Sequence, residues 1–235
     1  MRKGYDPKMD REKVPFPDGK YEDPQPLKGL LRDGSRRVFV ISDTHLFHNR
    51  LWEVLRPTAE GGRDPRNTEL ILANWRRTVK TEDVVLHLGD VALGIPVADY
   101  RARIGWLPGE VWLVPGNHDR TPEKLAVFRE MGWYVVKPFQ IERDGWRVLF
   151  GHEPVASDVI LPDQLNVHGH IHHNPAYSER YLNCCIEWLG YGPVELEPLL
   201  AGLIKTVGPP PAPREMRRAL KKRRRDADVD FSVGL

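Results

Sequence analysis

RVFVISDTH (residues 37–45) carries, after Arg37, four apolar β-branched or aromatic residues in a row and ends in a carboxylate, a hydroxyl and an imidazole. A short unbroken apolar run of this kind suits a buried strand, which would present whatever follows at its C-terminal end. The same grammar recurs along the chain. Asp83 to Leu88 runs into Gly89-Asp90, Glu110 to Val114 into Pro115-Gly116-Asn117, Arg147 to Phe150 into Gly151-His152, and Leu165 to Val167 into His168-Gly169-His170. Between them, Asn67 to Lys80 carries Leu70, Ile71, Trp75 and Val79 at helical spacing, and Pro122 to Met131 does so with Leu125, Phe128 and Met131. Strands alternating with amphipathic helices predict an α/β fold, whose ligands bind beyond the carboxyl ends of the strands. Every polar motif quoted lies at such an end.

Working outward, a further strand is expected over Tyr181 to Trp188 and a closing helix near Leu196 to Ile204. Residues 1–34 are dotted with Pro7, Pro15, Pro17, Pro24 and Pro26 among many charges and read as a flexible extension. The domain is expected over 35–207, and 208–235 forms a basic tail holding eight Arg or Lys residues between Arg214 and Arg225. At 235 residues the chain suits one domain with tails, and its net charge of +2 hides that tail. The tail fits contact with nucleic acid through counterion release, guidance to an anionic partner, or simple solubility. Cys184 and Cys185 are the only cysteines; a disulfide between neighbours is strained, so both are expected reduced. No apolar run approaches the roughly 20 residues of a membrane span, and a cytoplasmic location is the default expectation.

Hydrolysis of a phosphate ester brings an anionic nucleophile to an anionic substrate. Two metal cations roughly 3.5–4 Å apart ease that approach and acidify a water between them. Such a pair needs several carboxylate, imidazole and amide ligands on one rim. The strand ends supply Asp43 and His45, Asp90, Asn117, His152, and His170 with His172; residues two apart on a strand share a face, which lets each pair point one way. Asp43-Thr44-His45, Gly89-Asp90, Gly116-Asn117-His118-Asp119, Gly151-His152 and Gly169-His170-Ile171-His172 together resemble the signature of the calcineurin-like metallophosphoesterases, in its usual order, over about residues 36–195. SDTHLFHN (42–49), His87-Leu-Gly-Asp90 and His152-Glu-Pro154 resemble small bacterial and phage-encoded members.

The resemblance implies a two-sheet β-sandwich flanked by helices, in four α/β/β/α layers. It implies Asp43, His45, Asp90 and His172 on one metal, and Asp90, Asn117, His152 and His170 on the other, with Asp90 bridging. His118 matches the family's general acid, and a bridging hydroxide would attack in line. Oxygen and imidazole ligands without thiolate suit Mn²⁺, Fe or Ni, with Zn²⁺ acceptable; manganese is the expected ion.

In the serine/threonine phosphatase branch, the Gly-Asp motif leads to a charged aspartate and arginine, whereas Gly89-Asp90 is followed by Val91-Ala92-Leu93-Gly94. That departure turns the expectation from phosphoproteins to phosphodiesters of nucleotides, cyclic nucleotides or nucleic acid. Phosphomonoester or pyrophosphate hydrolysis is the rival activity, and a nucleic-acid-binding adaptor with a vestigial metal site is the rival class. Asp119 is expected to orient His118 or to cap the helix opening at Pro122. His87 reads as a satisfied core histidine; His48 and Asn49 as substrate contacts or turn residues; His168 and His173 as outer-shell or exposed residues. Trp106, Trp112 and Trp133 read as core, and Arg56, Arg63 and Arg66 as solvated.

Overall fold

The computed structural model describes residues 20–48, 67–212, 214, 215 and 218. Asn49, Arg56, Arg63, Arg66 and most of the basic tail lie outside the described residues. The strands β1 (Val38–Ile41), β2 (Val84–His87), β3 (Glu110–Leu113) and β4 (Tyr134–Val135) pair in parallel, and β9 (Val194–Glu195) joins β1 antiparallel, giving the order β4-β3-β2-β1-β9. A second sheet has the order β5-β6-β7-β8: β5 (Phe139–Arg143), β6 (Trp146–Phe150), β7 (Gln164–His168) and β8 (Tyr181–Asn183), with β5 antiparallel to β6 and the rest parallel. The fold is thus a two-sheet α/β sandwich with flanking helices.

Strand alternation divides the core. Val38, Val40, Val84, Leu86 and Trp112 face the second sheet and meet Val148, Phe150, Leu165 and Val167. Phe39, Ile41, Val85, Val111 and Leu113 face the other way, against helices α2 (Asn67–Thr78), α3 (Tyr100–Ile104) and α4 (Pro122–Glu130). Both faces of the first sheet are therefore apolar, which is why β1 and β2 read as continuous hydrophobic runs. The buried stripe is Ile71 and Trp75 in α2 with Val79 just beyond its end; Leu70, expected on that stripe, is 43% exposed. Thr121 starts α4 by accepting the Lys124 backbone N–H on its Oγ1 at 3.3 Å, with Pro122 at the first turn.

Several expectations need correction. Gln25–Asp33, placed in the flexible extension, forms α1, and its Leu27 and Leu31 enter the core between the sheets. Prolines at 24 and 26 read as disorder, yet proline is well suited to a helix's first turn. Leu27→Ala is expected to destabilise the protein by about 2–5 kcal/mol in urea unfolding, since Leu27 is fully buried; a loss below about 0.5 kcal/mol would show α1 to be dispensable. Tyr181 to Trp188 is not one strand: β8 stops at Asn183 and Ile186–Leu189 turns into the short helix α5, closed by Gly190 in the left-handed region. The final helix α6 runs from Leu196 to Val207.

Trp112 and Trp133 are buried as expected, but Trp106 is 47% exposed, lying in the turn after α3 with the Arg76 guanidinium 5.2 Å above its ring. Cys184 and Cys185 are free and buried. Among the described residues no helix is long and apolar enough to cross a membrane.

Candidate metal centre

The C-terminal ends of β1, β2, β3, β6 and β7 open onto one place. Their loops are tied to each other by backbone bonds: Asp43 N–H donates to Gly89 O at 2.9 Å, His45 N–H to Asp90 O at 3.0 Å, and Gly169 N–H to His152 O at 2.9 Å. All seven residues singled out above are brought together there. They fall into two groups of convergent ligand atoms, Asp43 with His45 and His172, and Asp90 with His152 and His170. Asn117 joins the second, its Oδ1 lying 3.0 Å from His152 Nε2 and 3.1 Å from His170 Nδ1. Asp90 stands between the groups: its Oδ2 is 3.4 Å from Nε2 of both His45 and His152. Its Oδ1 is occupied by the His118 backbone N–H at 2.9 Å.

The two pairs are not set on a common face by a strand. Asp43 and His45 lie beyond β1, and His170 and His172 beyond β7, so strand alternation does not place them. Each instead has left-handed backbone, with φ of 56°, 40°, 71° and 51°, as does Asp90 at 57°. Such geometry costs a non-glycine residue about 1 kcal/mol or more and is concentrated at functional sites. The glycines before the ligands make the close approach feasible: a Cβ on Gly116 would overlap the Asp90 carboxylate, and one on Gly169 would overlap Ser42 and Asp43.

Hydrogen bonds aim the ligand atoms. His152 Nδ1 donates to the Leu88 carbonyl at 2.7 Å, which leaves Nε2 directed at Asp90. His172 Nδ1 donates to Glu187 Oε1 at 3.0 Å, leaving Nε2 toward Asp43 Oδ1 at 3.8 Å. Asp43 Oδ2 accepts from the Ser42 hydroxyl at 2.6 Å, the His170 backbone N–H at 2.8 Å and the Cys185 thiol at 3.2 Å, so Oδ1 faces the imidazoles. Among the described residues neither ring nitrogen of His45, 1% exposed, has a hydrogen-bond partner, and Nε2 faces the Asp90 carboxylate at 3.4 Å. A buried imidazole left so is costly unless a further group binds it, and a cation among these nitrogens and carboxylates is such a group.

The electrostatics agree. Burial opposes ionisation of Asp43 and Asp90, yet the surrounding imidazoles hold both carboxyls below the usual carboxylate range. Burial works to lower His152, but Asp90 and Asp43 outweigh it and raise it to about 10. A cation bound by these carboxylates and imidazoles would compete with that preference for a proton.

Asp119 neither orients His118 nor caps α4. Its carboxylate accepts the backbone N–H groups of Asp90 at 2.6 Å, Gly116 at 3.0 Å and Val91 at 3.1 Å, pinning two ligand loops together. The ring of His118 is exposed, edge-on to that of His45 at a centroid distance of 5.4 Å. Desolvation against the loops, assisted by His45 and Lys124, holds its pKa below the ordinary value despite the pull of Asp90. Lys124 fixes the main chain here by donating to His118 O at 2.7 Å.

His87 is a satisfied core histidine: Nδ1 accepts the Gly89 N–H at 3.1 Å, Nε2 lies 3.1 Å from the Thr44 hydroxyl, and burial lowers its pKa to about 3. His48 lies beside the site, with its ring 5.8 Å from that of His45. His168 is buried with Nδ1 donating to Gly169 O at 2.8 Å, and His173 is exposed.

The sequence reading missed the segment 185–188. Cys185 reaches Asp43, Ile186 N–H donates to Ser42 O at 3.1 Å, Glu187 holds His172, and Trp188 Nε1–H donates to the His172 carbonyl at 2.9 Å. No motif marks it, because its contacts bring residues 15 or more positions apart together. It also missed the buried ion pair of Arg120 with Glu153 at 2.7 Å, which joins the residues following Asn117 and His152. Glu187→Gln is expected to weaken metal binding about 10- to 100-fold in a competition titration while leaving the circular dichroism spectrum unchanged; unaltered affinity would show that the carboxylate does not serve His172.

The model of the calcineurin-like phosphoesterases matches residues 36–226, and the chain belongs to that family, which comprises metal-dependent hydrolases of phosphate esters. It is 29% identical over 178 residues to the uncharacterized protein MJ1445 of Methanocaldococcus jannaschii, covering 72% of this chain and 92% of that protein. Among solved structures it is similar to the protein of unknown function AQ665 from Aquifex aeolicus, at 26% identity and a TM-score of 0.55, over 71% of this chain and 99% of that one. A novel archaeal phosphodiesterase is a more distant match, at 17% identity and a TM-score of 0.37, over 63% of this chain and 82% of that one.

Proposed function

We propose that the chain is a phosphodiesterase with a two-cation centre. Asp43, His45, Asp90 and His172 would hold one ion, and Asp90, Asn117, His152 and His170 the other. The observation that carries the reading is the position of Asp90 Oδ2, equidistant at 3.4 Å from an imidazole nitrogen of each group. A single carboxylate oxygen so shared is what a bridged pair requires. Two bound divalent cations would supply positive charge for the phosphate oxygens and a water acidic enough to attack phosphorus near neutral pH. Mixed oxygen and imidazole ligation suits Mn²⁺, Fe or Ni, with Zn²⁺ acceptable.

The protein's own groups do the rest. Asp90 Oδ1 is held by the His118 amide, so the carboxylate keeps its orientation between the groups. His118, exposed to solvent on the loop after β3 that also carries Asn117, would hand a proton to the departing oxygen of the ester. Val91-Ala92-Leu93 after Asp90 carry no charged side chain of their own, and the Lys124 ammonium beside them is taken up by the carbonyls of Ala92 at 3.3 Å and His118 at 2.7 Å, which favours diesters over dianionic monoesters.

The test is hydrolysis of bis-p-nitrophenyl phosphate against mono-p-nitrophenyl phosphate by protein supplied in turn with Mn²⁺, Fe²⁺, Ni²⁺ and Zn²⁺. Faster turnover of the diester supports the reading. A preference for the monoester would reverse the substrate assignment, and silence on both with every metal would remove the enzymatic one.

A further inference from the structure

Trp188 is 55% exposed although it is among the largest apolar side chains in the protein. Among the described residues the other exposed aromatics of comparable size are engaged by neighbours: the Arg76 guanidinium lies over Trp106, and Tyr134 stacks on Trp112 at a centroid distance of 4.4 Å. Trp188 is different in being fastened to the candidate centre. Its Nε1–H donates to the carbonyl of His172 at 2.9 Å, while the preceding Glu187 holds the ring of that same histidine at 3.0 Å. The indole's only hydrogen-bonding group is thereby used inward. What remains toward solvent is ring surface, in a fixed orientation, beside a residue whose Nε2 points at Asp43.

From this we infer that Trp188 is a specificity-determining residue, a stacking platform for an aromatic ring carried by the phosphoester, of which a nucleobase is the natural class. The inference rests on the proposed phosphoesterase reading, because it assumes that the phosphate sits at the seven-residue centre. Three physical points support it. A flat π-face binds any base by stacking without a hydrogen-bond code. An indole locked by its N–H gives up little rotamer freedom when a ligand arrives. The chain seats it on α5, where Cys185, just before the helix, supports Asp43 and Glu187 supports His172, so platform and ligands are held by one piece of backbone. A merely surface-exposed tryptophan has no reason to share its anchor with a candidate metal ligand.

The test is calorimetric binding of adenosine 5′-monophosphate and ribose 5-phosphate to Mn²⁺-supplemented full-length protein, in the wild type, W188A and W188F. The two probes share a phosphate and a sugar and differ by the base. The wild type is expected to bind the base-bearing probe on the order of tenfold or more tightly than the other, W188A to lose that preference, and W188F to retain most of it. Equal affinities in the wild type, or a preference unchanged in W188A, would overturn the inference. So would equal loss in W188F and W188A with normal metal content, since the hydrogen bond to His172 rather than the ring would then be responsible. Hydrolysis of a non-aromatic diester by the wild type separately reports on the phosphoesterase reading, so each can fail without the other.

Discussion

Asp90→Asn is expected to lower kcat by about three orders of magnitude or more and to leave the protein with less than half the bound metal of the wild type. The change acts on both groups at once, because Asp90 Oδ2 lies 3.4 Å from an imidazole nitrogen of each, in His45 and His152. An amide keeps the shape and can still accept the His118 N–H that Oδ1 takes at 2.9 Å. It removes the negative charge that two cations would share and replaces one oxygen lone pair with donor hydrogens. With that charge gone, electrostatic attraction for both ions falls, and turnover falls with occupancy as well as with chemistry. Metal analysis after dialysis, paired with kinetics at saturating Mn²⁺, separates the two contributions. Full metal content with kcat within tenfold of wild type would mean that Asp90 does not bridge.

His118→Asn is expected to have the opposite profile, a fall in kcat of about 10²–10⁴ with metal content unchanged. The side chain of His118 takes no part in either ligand group, while its backbone N–H, which the substitution retains, is what steadies Asp90. If the imidazole protonates the departing oxygen, its removal matters most where that oxygen is a poor leaving group. The loss should therefore be large for an alkyl ester and small for a p-nitrophenyl ester, whose phenolate departs without help. An equal loss on both esters would exclude general-acid action and point to a contact with the phosphate instead.

The order of buried strands and polar loops was legible because the parallel strands of a two-faced sheet are apolar on both sides, and Val38 to Ile41 and Val84 to Leu86 read as uninterrupted runs. The seven residues were legible because each follows such a strand within a few positions, usually after a glycine. What was not legible depended on distant neighbours. Leu27 and Leu31 look like stray leucines among prolines until both sheets stand beside them. Tyr181 to Trp188 carries β-formers at Tyr181, Ile186 and Trp188, but Cys185 and Ile186 are drawn off to bridge Ser42, and a helical turn follows. Asp119 illustrates the same limit from the opposite side. Its position beside His118 suggested a local partnership, whereas its carboxylate satisfies three amides from loops up to 29 residues away. Hydrogen-bond partners of buried carboxylates are set by tertiary structure, and sequence adjacency does not reveal them.

The left-handed turns at Asp43, His45, Asp90, His170 and His172 bear on how readily this protein can change. Glycine at any of those positions would relax the main chain, and selection for thermal resistance alone would draw the chain that way. Retaining a side chain with donor atoms there means accepting a fold less robust than the same scaffold without the centre. The compensating benefit is readiness. The surrounding sheets and the paired loops have already set the donors in place, so the affinity for an incoming ion is not spent on ordering the chain around it.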